Sequence, residues 1–280
     1  MAVNGYRWRR LMAGGLLAGL LWLGAGTAAA AAPRPQRIVS LNLCADQLVL
    51  ALADRAQIAG LTKNARDSQM SAAAAAARGL PLLSGSAEEV LAIDPDLVVG
   101  MPARRNPAVA VLKARDFRAV DLKSAENYDD IVASIRQVAK AVGHADRGEA
   151  LIARMNDDLA RLPKARRPVV AAYYQRRGFM TGTGTLIDDL MRRVGMTNLA
   201  TRLGKPPLSQ MSLEEMTAAA PDYLIVESAT DRVTDQGTEM LHHPILAAIP
   251  RISVPQAWTV CGGPAYVQAA RALSDAVARR

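Results

Sequence analysis

The chain has 280 residues, of which half are apolar and only 4% are aromatic, and its formal net charge is +8. This length and apolar content are sufficient for one large or two medium folded units and argue against disorder. No basic stripe interleaved with aromatic residues occurs, so the composition excludes a typical nucleic-acid-binding surface.

Residues 1–32 have the pattern of a secretory signal peptide. Arg7, Arg9 and Arg10 form a basic start, residues 11–23 are largely apolar, and residues 27–32 are small. A membrane anchor is the alternative, but the apolar run is short against the roughly 20 residues that span a bilayer. We expect cleavage within 27–33, which lowers the formal charge from +8 to +5 through the loss of three arginines. No cysteine ends this segment, so we expect no membrane anchor in the mature chain. Sec and twin-arginine export both remain open.

Strand and helix patterns alternate along the first half of the chain. Apolar or β-branched runs predict strands at 37–41, 57–61, 97–100 and 117–122. Helical patterns end near residue 52 and cover 70–77 and 109–115. This alternation favours a parallel sheet with helices on both faces.

The second half repeats this order of elements. Strands are predicted at 168–174, 223–226 and 251–254, a tight turn at 182–185, and helices at 186–194 and 266–278. We therefore predict an α/β fold of two lobes, each a mostly parallel sheet flanked by helices.

The stretch 128–162 separates the two halves and has helical apolar spacing almost throughout, interrupted at Gly143-His144. Pro163 and a basic run then end it. The sequence thus predicts an N-lobe at 33–126, a connecting helical segment at 127–163 and a C-lobe at 164–280. A continuous apolar seam predicts that the connector is rigid and packs on both lobes.

A short pattern occurs once in each half, at 86–99 and 212–226, with serine, Glu-Glu, alanine, Pro-Asp and an apolar run in the same order. Ser86 with Glu89 and Ser212 with Glu215 have capping-box spacing, which gives those glutamates a structural role. Glu88 and Glu214 have no local partner set by the sequence. They are either surface acids favoured by the helix dipole or contacts for a partner that touches both lobes. The Pro-Asp pairs are interpreted as structural turns.

The chain resembles the periplasmic binding proteins of ABC importers for ferric siderophores, haem and cobalamin. The resemblance rests on 37–41, Glu88, 94–99, the Gly182 turn with 186–198, and 212–226, and it extends from about residue 34 to the end. It implies a periplasmic, monomeric receptor that is not an enzyme and has no resident cofactor or metal, although its small-molecule ligand can itself carry iron or cobalt. It also implies that Glu88 and Glu214 dock on the membrane permease.

Ligands of open α/β sheets bind beyond the carboxyl ends of the strands. This rule assigns Asn42 and Cys44 to one wall of an interlobe cleft. It assigns the other wall to Tyr173, Tyr174, Arg176, Trp258 and Cys261. The Arg176-Arg177 pair is either a contact for carboxylate or phosphate groups of a ligand or part of a solvated loop. Because strand residues alternate, only one of the two tyrosines can face the cleft. Leu208 stands where the cobalamin-binding relatives lead us to expect an aromatic residue. Haem, the alternative ligand, would need Tyr173 or Tyr174 as its axial ligand.

The two cysteines, Cys44 and Cys261, leave three possibilities open. They form a disulfide, as is usual in exported proteins, contact a metal-bearing ligand, or are unrelated buried thiols. A cleft cysteine would also suit an exported two-lobed enzyme, which is the rival class. None of the common hydrolase, metalloprotease, P-loop or dinucleotide motifs occurs to support it.

Overall fold

The fold was obtained as a computed structural model, which describes residues 33–102 and 117–279. The predicted signal peptide and the predicted helix at 109–115 lie outside the described residues. Among the described residues, no helix combines the length and apolar character needed to cross a bilayer.

The N-lobe contains a five-stranded sheet in the order β3-β2-β1-β4-β5, with every neighbouring pair parallel. Its strands are β1 (Ile38–Ser40), β2 (Ile58–Thr62), β3 (Leu82–Leu83), β4 (Leu97–Gly100) and β5 (Arg118–Asp121). The central strands β1 and β4 are buried along their whole length, as continuous apolar runs in a parallel sheet require.

The C-lobe contains a four-stranded parallel sheet in the order β11-β10-β6-β8. Read from the other edge, the order is β8-β6-β10-β11, which are the second, first, third and fourth strands of this sheet along the chain. Strands β2-β1-β4-β5 of the N-lobe sheet have the same order. The two lobes therefore share strand order as well as the repeated sequence. A separate antiparallel pair, β7 with β9, was not predicted. The strands are β6 (Val169–Tyr173), β7 (Phe179–Thr181), β8 (Met196–Asn198), β9 (Leu208–Gln210), β10 (Tyr223–Glu227) and β11 (Arg251–Val254).

The helices of the described residues follow the same two-lobed arrangement. In chain order they are α1 (Leu43–Leu52), α2 (Ala87–Ile93), α3 (Tyr128–Ala141), α4 (Ala145–Ala160), α5 (Leu186–Arg193), α6 (Leu199–Arg202), α7 (Leu213–Ala219), α8 (Gln236–Glu239), α9 (Gln256–Thr259) and α10 (Tyr266–Ala278).

The repeated unit has the same contacts in both lobes. The carboxylate of Asp96 accepts hydrogen bonds from the backbone N–H groups of Gln36 and Arg37, just before β1, at 2.7 and 2.9 Å. In the C-lobe, Asp222 accepts from the N–H of Val170 in β6 at 2.8 Å. Each Pro-Asp pair thus ties the end of its helix to the amino end of the first strand of its lobe.

The connector is two helices rather than one continuous helix. Tyr128 in α3 donates its hydroxyl to Asn156 in α4 at 2.8 Å, and Arg136 pairs with Glu149 at 2.7 Å. Because the partner number falls as the α3 number rises, the helices are antiparallel. The chain reverses at Gly143, whose φ of +82° favours glycine. The sequence showed the interruption at this point but not the reversal.

One hydrophobic core runs through both lobes. It joins buried residues of α1, α3 and α4 to those of α5, β6 and α10, and residues from Pro33 onward form one compact unit. A polar cluster reinforces the junction: the guanidinium of Arg193 lies 4.7 Å from the centre of the Tyr128 ring, and the Tyr266 hydroxyl donates to Asp189 at 2.6 Å. The two lobes are thus halves of one folded unit.

The predicted helix at 70–77 is wrong, since this segment is a series of turns. Its carbonyl groups are hydrogen bonded by arginine side chains from neighbouring segments. Arg55 donates to the carbonyl groups of Ala76 and Arg78 at 2.6 and 2.7 Å, and Arg66 donates to that of Ala77 at 3.2 Å. These long-range bonds compensate for the missing helical ones, and alanine content alone cannot reveal them.

The first turn of α4 is fixed to the N-lobe through Asp54. Arg147 lies 2.7 Å from one carboxylate oxygen of Asp54, and His144 lies 2.9 Å from the other. The hydrogen bond from Arg147 lowers the pKa of Asp54 below its ordinary value of 3.8. A lowered folded-state pKa adds stability above the unfolded-state pKa and loses it as the pH falls through the folded-state value.

We therefore expect Asp54→Asn to be less stable than the parent at pH 7, with the difference disappearing as the pH falls below about 4. Urea unfolding at a series of pH values measures this. Asp275→Asn, which changes an exposed carboxylate, is the control and should show no such trend. A difference between the Asp54 variant and the parent that is constant with pH would contradict the ionic role of Asp54.

Candidate functional site

A cavity of about 380 Å³ lies between the lobes, within the usual size range of ligand sites. The N-lobe contributes residues that follow β4 and β5 together with the start of α1. The C-lobe contributes the turn before α5 and the end of α9. Lining residues are Cys44, Leu48, Met101, Leu122, Lys123, Ser124, Ala125, Glu126, Ser134, Gly184, Thr185, Leu186, Ile187, Pro207, Thr259, Val260 and Gly262. We call this the interlobe cavity.

Cys44 and Cys261 form a disulfide, with their Cα atoms 5.3 Å apart. The bond joins the first turn of α1 in the N-lobe to the segment after α9 in the C-lobe. Cys44 itself lines the interlobe cavity, and Val260 and Gly262 do so on either side of Cys261. The bond is therefore a covalent link between the two lobes at the wall of the cavity. Of the three possibilities left open by the sequence, the structure has the disulfide.

Tyr173 ends β6 and is not among the residues that line the interlobe cavity, but its hydroxyl contacts Thr259, which is one of them. The ring is buried, while the hydroxyl lies 3.1 Å from that of Thr259 and donates to Glu227 at 3.3 Å. Glu227 also accepts from the side-chain amide of Gln175 at 3.1 Å. Glu227 was not predicted as a site residue. Its signal was available, because it is the last residue of β10, at the carboxyl end of a strand.

Tyr174 is fully buried, and its hydroxyl donates to the carbonyl group of Met211 at 2.8 Å. The alternation of side chains along β6 turns Tyr174 into the core on the other face of the C-lobe sheet. We therefore withdraw Tyr174 from the set of ligand-binding residues.

Asn42 and Trp258 have structural contacts beside the cavities. The Asn42 side chain accepts from the N–H of Ala45 at 2.9 Å and caps α1. Trp258 is partly buried and packs against the shared core, while its neighbours Gln256 and Thr259 line cavities.

A second cavity of about 360 Å³ lies in the C-lobe, at the carboxyl ends of β6, β10 and β11, and we call it the C-lobe cavity. It is lined by Gln175, Arg176, Phe179, Leu208, Glu227, Ala229, Thr230, Thr234, Thr238 and Gln256. Arg176, a predicted ligand contact, lines this cavity, and its guanidinium is paired with Asp235. The side chain of Leu208 is 62% exposed, so an apolar group faces this cavity.

The structure does not favour either tyrosine as an axial ligand for haem iron, because both side chains are buried and both hydroxyl groups are already hydrogen bonded within the protein. Burial raises the pKa of the Tyr173 hydroxyl above its usual range, and the adjacent Glu227 raises it further. Burial likewise raises the pKa of Tyr174 to about 12. Among the described residues, no cluster of three or more His, Cys, Asp or Glu side chains is arranged to hold a metal ion.

Glu88 and Glu214 occupy equivalent positions in the first turns of α2 and α7, and both are exposed. The Asp96 and Asp222 contacts place the carboxyl ends of these helices at the amino edges of the sheets. Their first turns therefore lie at the opposite edges, where the cavities are. Hydrogen bonds from its own N–H and from Ser86 lower the pKa of Glu88, which keeps the carboxylate ionised.

The capping contacts agree with the predicted roles of the neighbouring glutamates. Ser212 and Glu215 form a reciprocal capping box, with bonds of 2.8 and 3.1 Å between side chain and backbone. In the first copy, Glu89 reaches back to Ser84 instead, accepting from its N–H at 2.7 Å and its hydroxyl at 2.8 Å.

The fold and the interlobe cavity place the chain in the class of two-lobed binding proteins. Residues 38–252 match the periplasmic binding protein family, so the chain belongs to that family. Family membership implies a periplasmic location.

Two relatives are similar at about the same level. A cobalamin-binding protein of Halobacterium salinarum is 25% identical over 206 residues, which are 71% of this chain and 56% of that protein. A vitamin B12-binding protein of Pectobacterium atrosepticum is 25% identical over 202 residues, which are 68% of this chain and 71% of that protein. The chain thus spans little more than half the length of the first relative.

A solved structure extends the likeness to nearly the whole described chain. The periplasmic heme-binding protein RhuT from Roseiflexus sp. RS-1 is 26% identical, with a TM-score of 0.67 over 86% of this chain and 99% of that chain. The relatives are binding proteins, which fits a role other than catalysis.

Proposed function

We propose that this protein is the periplasmic solute-binding component of an ABC importer. It captures an iron-siderophore or cobalamin-type ligand between its lobes and delivers the ligand to a membrane permease. The observation that carries this proposal is the cavity of about 380 Å³ to which both lobes contribute the ends of their elements. The cobalamin-binding and vitamin B12-binding relatives support the ligand class.

A haem receptor is the alternative within the same family, supported by the likeness to a heme-binding protein. The burial of both tyrosine side chains argues against it. An enzyme that uses a cleft thiol loses its nucleophile, because both cysteines are in the disulfide.

Purification of the chain without refolding, followed by an absorption spectrum and a native mass, tests the proposal. Corrinoids, ferric siderophores and haem are coloured and distinguishable, so we expect a visible band and a mass increase that corresponds to one ligand. Unfolding and refolding should remove the colour, and titration with the same ligand should restore it. A colourless protein that binds none of these ligands on titration would contradict the proposed function.

A further inference from the structure

Three neighbouring strands of the C-lobe sheet end at one patch of hydrogen-bonding side chains. Gln175 follows β6, Glu227 ends β10, and Gln256 follows β11, and all three line the C-lobe cavity. Since β10 lies between the other two strands, the Glu227 carboxylate is at the centre of the patch. The Tyr173 hydroxyl contacts both Glu227 and Thr259, which lines the interlobe cavity, so the two cavities adjoin at this point. A ligand that extends from the interlobe cavity into the C-lobe cavity therefore meets Glu227.

Among the described residues, no cation is paired with the Glu227 carboxylate. It accepts hydrogen bonds from Tyr173 and Gln175, both uncharged, and within 33–102 and 117–279 no Lys, Arg or His forms an ion pair with it. Arg176, the cation that lines the same cavity, is paired with Asp235. A half-buried carboxylate without a counterion repels a second carboxylate and accepts hydrogen bonds from N–H or O–H donors.

The interlobe cavity does not offset this charge. Its charged lining residues are Lys123 and Glu126, which are of opposite sign, and the rest of its lining is apolar or uncharged. The charged residues that line the two cavities are equal in number, Lys123 and Arg176 against Glu126 and Glu227, so the described walls carry no net charge. Arg176 is held by Asp235, however, while the recorded hydrogen-bond partners of the Glu227 carboxylate are uncharged.

We propose that Glu227 determines ligand specificity by selecting a metal chelate that presents carboxamide, hydroxyl or ammonium donors, and by rejecting one that presents free carboxylates. This inference rests on the proposed function and narrows its ligand class. The exposed side chain of Leu208 supplies an apolar contact beside Glu227 in the same cavity. We expect a ligand with free carboxylates to be rejected, because a carboxylate placed against Glu227 would lose its hydrating water and receive no hydrogen bond from the Glu227 carboxylate in return.

The test compares two donor-bearing probes, cyanocobalamin and ferrioxamine B, with two carboxylate-bearing probes, ferric citrate and haemin. Trp258 is the only tryptophan after residue 32, so quenching of its fluorescence reports on the cleft. We expect the parent to bind at least one donor-bearing probe more than about tenfold more tightly than both carboxylate-bearing probes. Glu227→Gln keeps an acceptor and removes the charge, so we expect this preference to shrink by about tenfold. Glu239→Gln removes an exposed charge of the same lobe and should leave it unchanged.

Two outcomes would overturn the inference and leave the proposed function standing. One is tighter binding of ferric citrate or haemin by the parent, and the other is an unchanged preference in Glu227→Gln. If the parent binds none of the four probes, the proposed function fails, and the inference fails with it.

Discussion

Replacing both Cys44 and Cys261 with serine is expected to lower the free energy of unfolding by about 5 kcal/mol at 25 °C. The bond joins residues 217 positions apart, so its loss frees a very long loop in the unfolded chain. In the chain-entropy description the stabilisation by a disulfide grows with loop length, and a loop of about 100 residues already corresponds to about 4.7 kcal/mol. Equilibrium unfolding in urea measures the loss.

The parent treated with a thiol reductant separates the bond from the change of side chains. It should unfold at the same urea concentration as the double variant, and the reductant should not affect the variant. Equal midpoints for the oxidised parent and the double variant would show that the link does not stabilise the fold. Because the bond lies at the wall of the interlobe cavity, its loss should also speed ligand dissociation, which stopped-flow fluorescence of Trp258 can follow.

Replacing Glu88 and Glu214 together with glutamine is expected to reduce ligand uptake at least about tenfold while the ligand Kd stays within about twofold. Both carboxylates are exposed in the first turns of α2 and α7, at the sheet edges where the cavities lie, yet neither lines a cavity. We therefore expect them to contact the proposed permease without touching the ligand. Uptake by cells that lack the parent protein, together with binding to the purified variant, gives the two readouts.

The control for this pair is Glu239→Gln with Asp275→Asn, which removes the same total charge from exposed positions elsewhere. It should transport normally. If the two pairs reduced uptake equally, only the overall charge of the protein would matter. If the Glu88 and Glu214 pair weakened ligand binding, the docking role would be wrong.

Elements with strong local signals were predictable from the sequence. The closing helix has the predicted bounds, because its apolar spacing is regular and its ends are marked locally. The Pro-Asp contacts were predictable as structural, since the same pattern occurs in both lobes. By contrast, β7 and β9 are three-residue strands, and so short a segment has no readable periodicity.

Features that depend on distant contacts could not be predicted. The reversal at Gly143 needs the packing of α3 on α4, which the apolar seam alone does not distinguish from one long helix. Strand alternation showed that only one tyrosine faces the cleft, but the identity of that residue depends on how the sheet packs. The pairing of Cys44 with Cys261 could not be predicted for the same reason, because no local sequence feature shows that two distant segments are adjacent in the fold.

The hydrophobic core that extends through both lobes bears on how the protein folds. Residues of α1 bury their apolar side chains against α3, and the same core continues into α10 near the end of the chain. The first half therefore exposes apolar surface until the last helix is available. We expect one cooperative unfolding transition for the whole chain, and a fragment that ends at residue 126 should aggregate rather than fold. An incomplete chain would therefore need chaperones that prevent its aggregation until the carboxyl-terminal helix is available to complete the core.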